Sequence, residues 1–410
     1  MTRFLVYTPP ATGHVFPLIP GLRALVERGH DVHVRAMPAL VERLRAAGVP
    51  AEPIDERITA SAHTTEPDGR RHTDDIRDLL ARGPWEMADL TGAIAEVRPD
   101  ALIVDANCYG ASTVAETSGL PWVMTMPSVL PRPGRGIPPY GLGLAPRPGR
   151  LGALRDAVLW KVVERAFGRA ILPELNRMRA TAGLPAFRSP LDYSARPHRL
   201  VTLTGEPLEY PRADLEPHVR MAGGGVWDPP AETPEWLLTE GDPWVLVTCS
   251  TDYQGDESLA RAAVEALRDE PVRVLVTLAD AYGSVTLPPG ANVRVERFVP
   301  HGVVLPRAAA VVCPSGMGIV TKAVAAGVPV VAVPFGRDQP EVARRVQQAG
   351  AGVILPARKL TADRLRAAVR AARSLPPRPP VEPDGGAAFA DAAEEVVLGS
   401  RSTAPGRTGQ

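Results

Sequence analysis

Short apolar runs alternate with amphipathic stretches along nearly the whole chain, the pattern of strands and helices taken in turn. Residues 4–7 form the first apolar run, stopped by Pro9-Pro10; the loop 11–14 follows. From 15 to 28 the spacing is helical, with Phe16, Ile19, Leu22, Leu25 and Val26 on one face, and Gly29 closes the helix. Residues 31–35 read as the next strand. This order predicts a parallel βαβ unit whose first loop emerges at the carboxyl edge of a sheet, where such folds bind ligands.

The pattern repeats. A helix is expected at 39–47, a strand at 51–54, a helix at 85–97, a strand at 101–104 that delivers Asp105 to its end, a helix at 108–118 and a strand at 122–126. Residues 58–84 are polar and lack apolar period, so they read as a loop with a helix near 74–81, of the kind that lines or covers a cleft. Residues 127–149 are dense in Pro, Gly and Arg and read as a loop shaping an acceptor pocket. A long or broken helix, interrupted near Pro173, is expected at 151–182, and a strand at 198–203. Pro, Gly and acidic residues then dominate 204–234, which reads as a linker holding one strand at 219–222.

A second series follows. Strands are expected at 244–249, 272–277, 293–296 and 352–355, and helices at 257–267, 341–348, 361–372 and 387–397. The expected architecture is α/β: two doubly wound, Rossmann-like parallel-sheet domains facing a cleft. The first covers 1–205; a linker covers 206–234; the second covers 235–385, with a terminal helix at 386–397 and a disordered tail at 398–410.

Composition agrees and excludes some functions. A chain of 410 residues suits two domains of about 200. Its 46 basic and 46 acidic residues cancel, so the balance points to neither a nucleic acid nor an acidic lipid surface. Cys108, Cys249 and Cys313 are scattered in or beside apolar runs, as expected of reduced thiols in the cytoplasm. The opening MTRFLVYTPP offers no signal peptide, and no apolar run is long enough for stable membrane insertion.

The densest chemistry lies in 311–339, VVCPSGMGIVTKAVAAGVPVVAVPFGRDQ. It reads as strand, Gly/Ser turn, helix, strand and a polar loop ending in Asp338-Gln339. Ser315, Gly316 and Gly318 stand at the helix entry, where exposed N–H groups and the helix dipole suit a phosphate; such a turn also serves a parallel fold without any ligand. His14, just past the first strand, can take a proton from a hydroxyl in a cleft, or lie exposed at a helix start. Asp105 emerges on the same sheet edge and can orient that imidazole, or cap the helix 108–118.

Three segments, ATGHVFPLIPGLRALVERGHDV, VRVERFVPHGVVLPRAAAVV and GMG…AVAAGVPVVAVPFGRDQPEVARRV, resemble the two-domain (GT-B) glycosyltransferases that use nucleotide sugars, specifically the actinobacterial natural-product branch of the inverting, UDP-glycosyltransferase-like family 1. The resemblance spans residues 3 to about 372. It implies an inverting transferase, independent of metal or cofactor, whose partners are a nucleoside-diphosphate sugar donor, dTDP-linked and held by 235–385, and an apolar small-molecule acceptor held by 1–205; a homodimer is compatible with it. It implies His14 as general base and Asp105 as its orienting carboxylate. It also implies Phe298 stacking on the nucleotide base, Val299 supplying neighbouring backbone, and Thr251, Ser315, Gly316 and Gly318 around the diphosphate, with Asp338 and Gln339 on the sugar hydroxyls. Two positions depart from the family pattern. Pro314 replaces a histidine that opens the phosphate loop, and Lys322 replaces a glutamate that would hold ribose hydroxyls. Either neighbouring donors, Lys322 among them, compensate, or the chain is an impaired, ligand-binding relative; a sugar-nucleotide epimerase on the same plan is a further alternative, with less use for an acceptor cleft.

Overall fold

Side chains of the first strand go alternately to two cores: Phe4 and Val6 to one, Leu5 and Tyr7 to the other, all fully buried. A strand buried on both faces must lie in a sheet covered by helices on each side. The computed structural model, which describes residues 1–62, 72–249, 257–381 and 384–403, contains two such sheets, and every strand pairing in them is parallel.

The first sheet holds β1 (Arg3–Tyr7), β2 (Asp31–Ala36), β3 (Ala51–Pro53), β4 (Ala101–Asp105), β5 (Trp122–Met126), β6 (Arg199–Thr202) and β7 (Val219–Met221), in the order β3-β2-β1-β4-β5-β6-β7. The second holds β8 (Trp244–Thr248), β9 (Arg273–Thr277), β10 (Val293–Glu296), β11 (Ala308–Cys313), β12 (Val330–Ala332) and β13 (Gly352–Ile354), in the order β10-β9-β8-β11-β12-β13. Each order reverses once, between β1 and β4 and between β8 and β11. A crevice opens at the carboxyl ends of such a switch point.

Four stretches differ from the sequence reading. Residues 58–62, read as the start of a polar loop, belong to the helix Glu56–Ala62, because the Asp55 carboxylate accepts the Arg57 N–H and Ile58 is buried in the core. The helix Gly149–Thr181 runs unbroken through Pro173. The supposed linker carries β7, whose Val219 is buried against Leu200, so it completes the first sheet. The final helix, Gly385–Thr403, extends past 397 into the expected tail; residues 404–410, and the part of the polar loop at 63–71, lie outside the described residues.

That final helix returns to the first half of the chain. Phe389 is fully buried against the helix Ile19–Glu27, where a Cβ on Gly21 would stand 2.3 Å from the phenyl ring. Around it Arg28 binds Asp391 at 2.7 Å and Glu394 at 2.8 Å, and His30 meets Glu394 at 2.7 Å. The exposed ion pairs add little, so the phenyl group holds the helix. Phe389→Ala is expected to cost about 3–5 kcal/mol in denaturant unfolding; a loss below about 1 kcal/mol would show that the helix is not anchored there.

Candidate active site

The helix that follows β1 begins at Thr12, so His14 sits in its first turn, at the switch point of the first sheet. Asp105 ends β4, the strand next to β1. Its buried carboxylate lies 2.9 and 3.0 Å from Nδ1 of His14 and accepts the Asn107 N–H at 2.8 Å. A carboxylate only accepts, so Nδ1 carries the proton and Nε2 is the ring nitrogen that accepts. The Asn107 side-chain nitrogen lies 3.3 Å from that Nε2, in keeping with the same tautomer. Asp105 does not cap the next helix: Cys108 occupies the N-cap of Tyr109–Thr117, and the Glu86 carboxylate accepts the Gly110 N–H of its first turn at 2.9 Å.

Across the seam, β11 ends in the turn that opens the helix Met317–Ala325, with Gly316 at the N-cap. Ser315 is buried with φ of 78°, and its Oγ has no partner among the described residues. Among the described residues, a Cβ on Gly316 or Gly318 would meet nothing within 4 Å. The turn is therefore open above its glycines, and the first N–H groups of the helix lack intrahelical acceptors.

The supposed linker joins the two sides. A Cβ on Gly225 would stand 1.8 Å from the Pro17 carbonyl oxygen, and one on Gly224 would stand 2.4 Å from Cγ2 of Thr321. One layer of glycine backbone thus separates the helical turns after His14 from the helix of the phosphate-type turn. Trp227 packs edge-on against Phe16 at 4.8 Å, and Asp228 accepts from Lys322 Nζ at 2.7 Å.

A second bridge lies one strand along. Thr125 of β5 is the register partner of Asp105, and Ser128 follows three residues later. The Ser128 hydroxyl donates to Asp338 Oδ2 at 2.6 Å, which brings the Asp338 loop to the sheet edge that carries Asp105. Gln339 is buried, and its Oε1 accepts the N–H groups of Phe335 at 2.7 Å and Gly336 at 3.1 Å, bracing the same loop. Phe298 is 49% exposed and free to stack on a planar ligand, whereas the Val299 side chain is buried in the core of the second half and leaves only its backbone for a ligand. Thr251 lies outside the described residues.

The C-terminal-domain model of the erythromycin biosynthesis protein CIII-like family matches residues 262–377. The 4'-demethylrebeccamycin synthase of Lentzea aerocolonigenes is 34% identical, over 91% of this chain and 92% of its own length. The glycosyltransferase GtfC of Amycolatopsis orientalis is 30% identical, over 90% of each chain. This chain belongs to the antibiotic-biosynthesis glycosyltransferases. Its fold is theirs as well: the solved kitacinnamycin glycosyltransferase superposes with a TM-score of 0.69 at 21% identity, covering 97% of this chain and 95% of the other. Glycosyltransferase VinC, solved in complex with dTDP, gives 0.63 at 23% identity, covering 98% of each.

Sequence reading of this glycosyltransferase did not single out Asn107, Ser128 or Asp228. Asn107 had a signal in its place two residues past Asp105 in VDAN; Ser128 and Asp228 act across more than 90 residues of sequence and had none. Asp228 changes the meaning of Lys322, whose ammonium is engaged by a carboxylate that also accepts the Gly302 N–H at 2.9 Å. Beside this pair, burial and then the Lys322 charge push His301 down to about 4, against the pull of Asp228. A neutral folded histidine gives stability that is full above the unfolded value of 6.5 and is lost as pH falls toward 4, because the unfolded chain binds the extra proton. Urea midpoints should therefore drop between pH 7 and pH 5, and His301→Gln should flatten that slope; an unchanged slope would remove His301 as its source.

Proposed function

We propose that this glycosyltransferase moves a sugar from a nucleoside diphosphate, with thymidine as the carrier nucleoside, onto a nucleophile of an apolar natural-product aglycone, with inversion and without a metal. The observation that carries the reading is the His14–Asp105 pair at the switch point, with an open phosphate-type turn on the other side of the glycine layer. The dTDP named with VinC and the product named for the rebeccamycin relative support the donor and acceptor classes.

In this mechanism Nε2 of His14 takes the acceptor's proton while Asp105, already bonded to Nδ1–H, stabilises the imidazolium. The freed nucleophile attacks the anomeric carbon. The bond from that carbon to the diphosphate breaks on the opposite face, and its electron pair leaves on the diphosphate oxygen. Backbone N–H groups at residues 316–318 meet the growing charge. Pro314 contributes neither an imidazole nor an N–H there, and Lys322 is neutralised by Asp228. The helix N-terminus therefore carries more of this task than a histidine-opened loop would. Asp338, Gln339 and Phe298 orient the sugar and the base.

A non-catalytic ligand-binding reading is favoured only by Pro314 and the Lys322–Asp228 pair, and one set of measurements separates the two. Calorimetry should show dTDP binding, and His14→Ala should retain it while transferring sugar about 100- to 10,000-fold more slowly from dTDP-sugars to a panel of hydroxylated aromatic aglycones. Binding without transfer by the wild type would favour the non-catalytic reading, and wild-type rates in His14→Ala would reject His14 as the base. Ser128→Ala removes a charge-assisted hydrogen bond to Asp338 and should weaken the donor's KM about tenfold with a smaller change in kcat; an unchanged KM would separate Asp338 from sugar binding.

A further inference from the structure

The long helix Gly149–Thr181 carries a surface that holds none of the residues assigned above to the transfer. Leu151, Leu154, Val158 and Val162 are 72%, 63%, 53% and 54% exposed. Their spacing of three, four and four residues puts them in one row along a helix face, about 16 Å long at 1.5 Å per residue. The helix is fixed from its other side: Gly152 and Asp156 are buried, and the Trp160 indole N–H donates to the Ile137 carbonyl at 3.0 Å. The row therefore faces outward from a held element, and no described residue covers it.

The charges around the row have one sign. At 100° per residue, Arg150 and Lys161 flank it on one side, and Arg165 and Arg169 continue it toward the C-terminus. All four are exposed, and none has a carboxylate partner among the described residues. The two acids of the segment are engaged elsewhere, Asp156 with Arg155 at 2.7 Å and Glu164 with the Ser189 hydroxyl. The zero charge of the whole chain averages away this local excess.

We infer that this face docks reversibly on an anionic lipid surface, with the four apolar side chains at the acyl boundary and the four cations among acidic headgroups. An apolar row with cations beside it is the composition of a helix lying in such an interface. A second copy of the chain fits poorly, because pairing the rows would bring like-charged edges together. Among the described residues no helix is long and apolar enough to cross a membrane, so attachment is peripheral. Lipid docking would hold the enzyme where an apolar aglycone is dissolved, and it does not depend on the identity of the donor.

Co-sedimentation of the full chain with vesicles tests this. Binding is expected to vesicles of phosphatidylcholine with phosphatidylglycerol, to weaken as salt is raised, and to be near background on phosphatidylcholine alone. Leu154→Glu with Val158→Glu should reduce partitioning by more than about tenfold. Lys161→Glu with Arg165→Glu should reduce it by about fivefold or more for each cation removed. Both variants change exposed side chains, and retained melting temperature and dTDP-induced stabilisation will show that they fold. Equal binding to neutral and anionic vesicles would overturn the proposal. So would no vesicle binding together with a concentration-dependent dimer, by sedimentation velocity, that the Leu154/Val158 variant abolishes; that result would assign the face to a second copy.

Discussion

The structure depends on how closely two bodies can approach when the layer between them has no side chains. At Gly224 and Gly225 the chain runs between the Pro17 carbonyl and the Thr321 side chain with no room for a Cβ on either side. That contact sets the thickness of the seam, and hence the distance from the imidazole after β1 to the helix start after β11. Any side chain at Gly225 would move one half away from the other, and a small displacement at a reacting centre has a large effect on rate.

Polar contacts then fix orientation across the same seam. Arg345 of the second half is buried, binds Glu209 at 2.9 Å and lies over the Tyr210 ring at 4.1 Å. Glu209 in turn accepts the Leu130 N–H at 2.7 Å and the Thr204 hydroxyl at 3.0 Å. Ser128–Asp338, Lys322–Asp228 and the Arg344 N–H donated to the Gly143 carbonyl at 2.8 Å are further directional contacts between the halves. Buried ion pairs give back most of their attraction in desolvation, so their effect here is on geometry more than on net stability. The apolar cores on the four sheet faces supply the stability, and the pairs select one relative placement of the halves.

Much of this was legible in the sequence, for a physical reason. Strands buried on both faces need unbroken apolar runs, so β1, β4, β5, β8 and β11 stood out, and the parallel order put His14 and Asp105 on one edge. The close contact made at 222–228 was not legible, because glycine serves two opposite purposes. Composition alone cannot tell a flexible joint from a close contact, and AGGGVWD is the latter. Asp228 and Ser128 were hidden because their partners are distant in sequence. Lys322 looked like a free cation for a phosphate until its carboxylate came into view. Pro314 was readable as a lost donor, because proline carries neither an imidazole nor an N–H.

The central claim is that one site spans both halves, with the imidazole on one side of the glycine layer and the phosphate turn on the other. A crystal structure with dTDP bound tests it most directly. The account predicts diphosphate density over residues 316–318, with the terminal phosphate facing His14 and the Lys322–Asp228 pair intact. A nucleotide bound away from that turn, or held there with its terminal phosphate pointing away from His14, would contradict it.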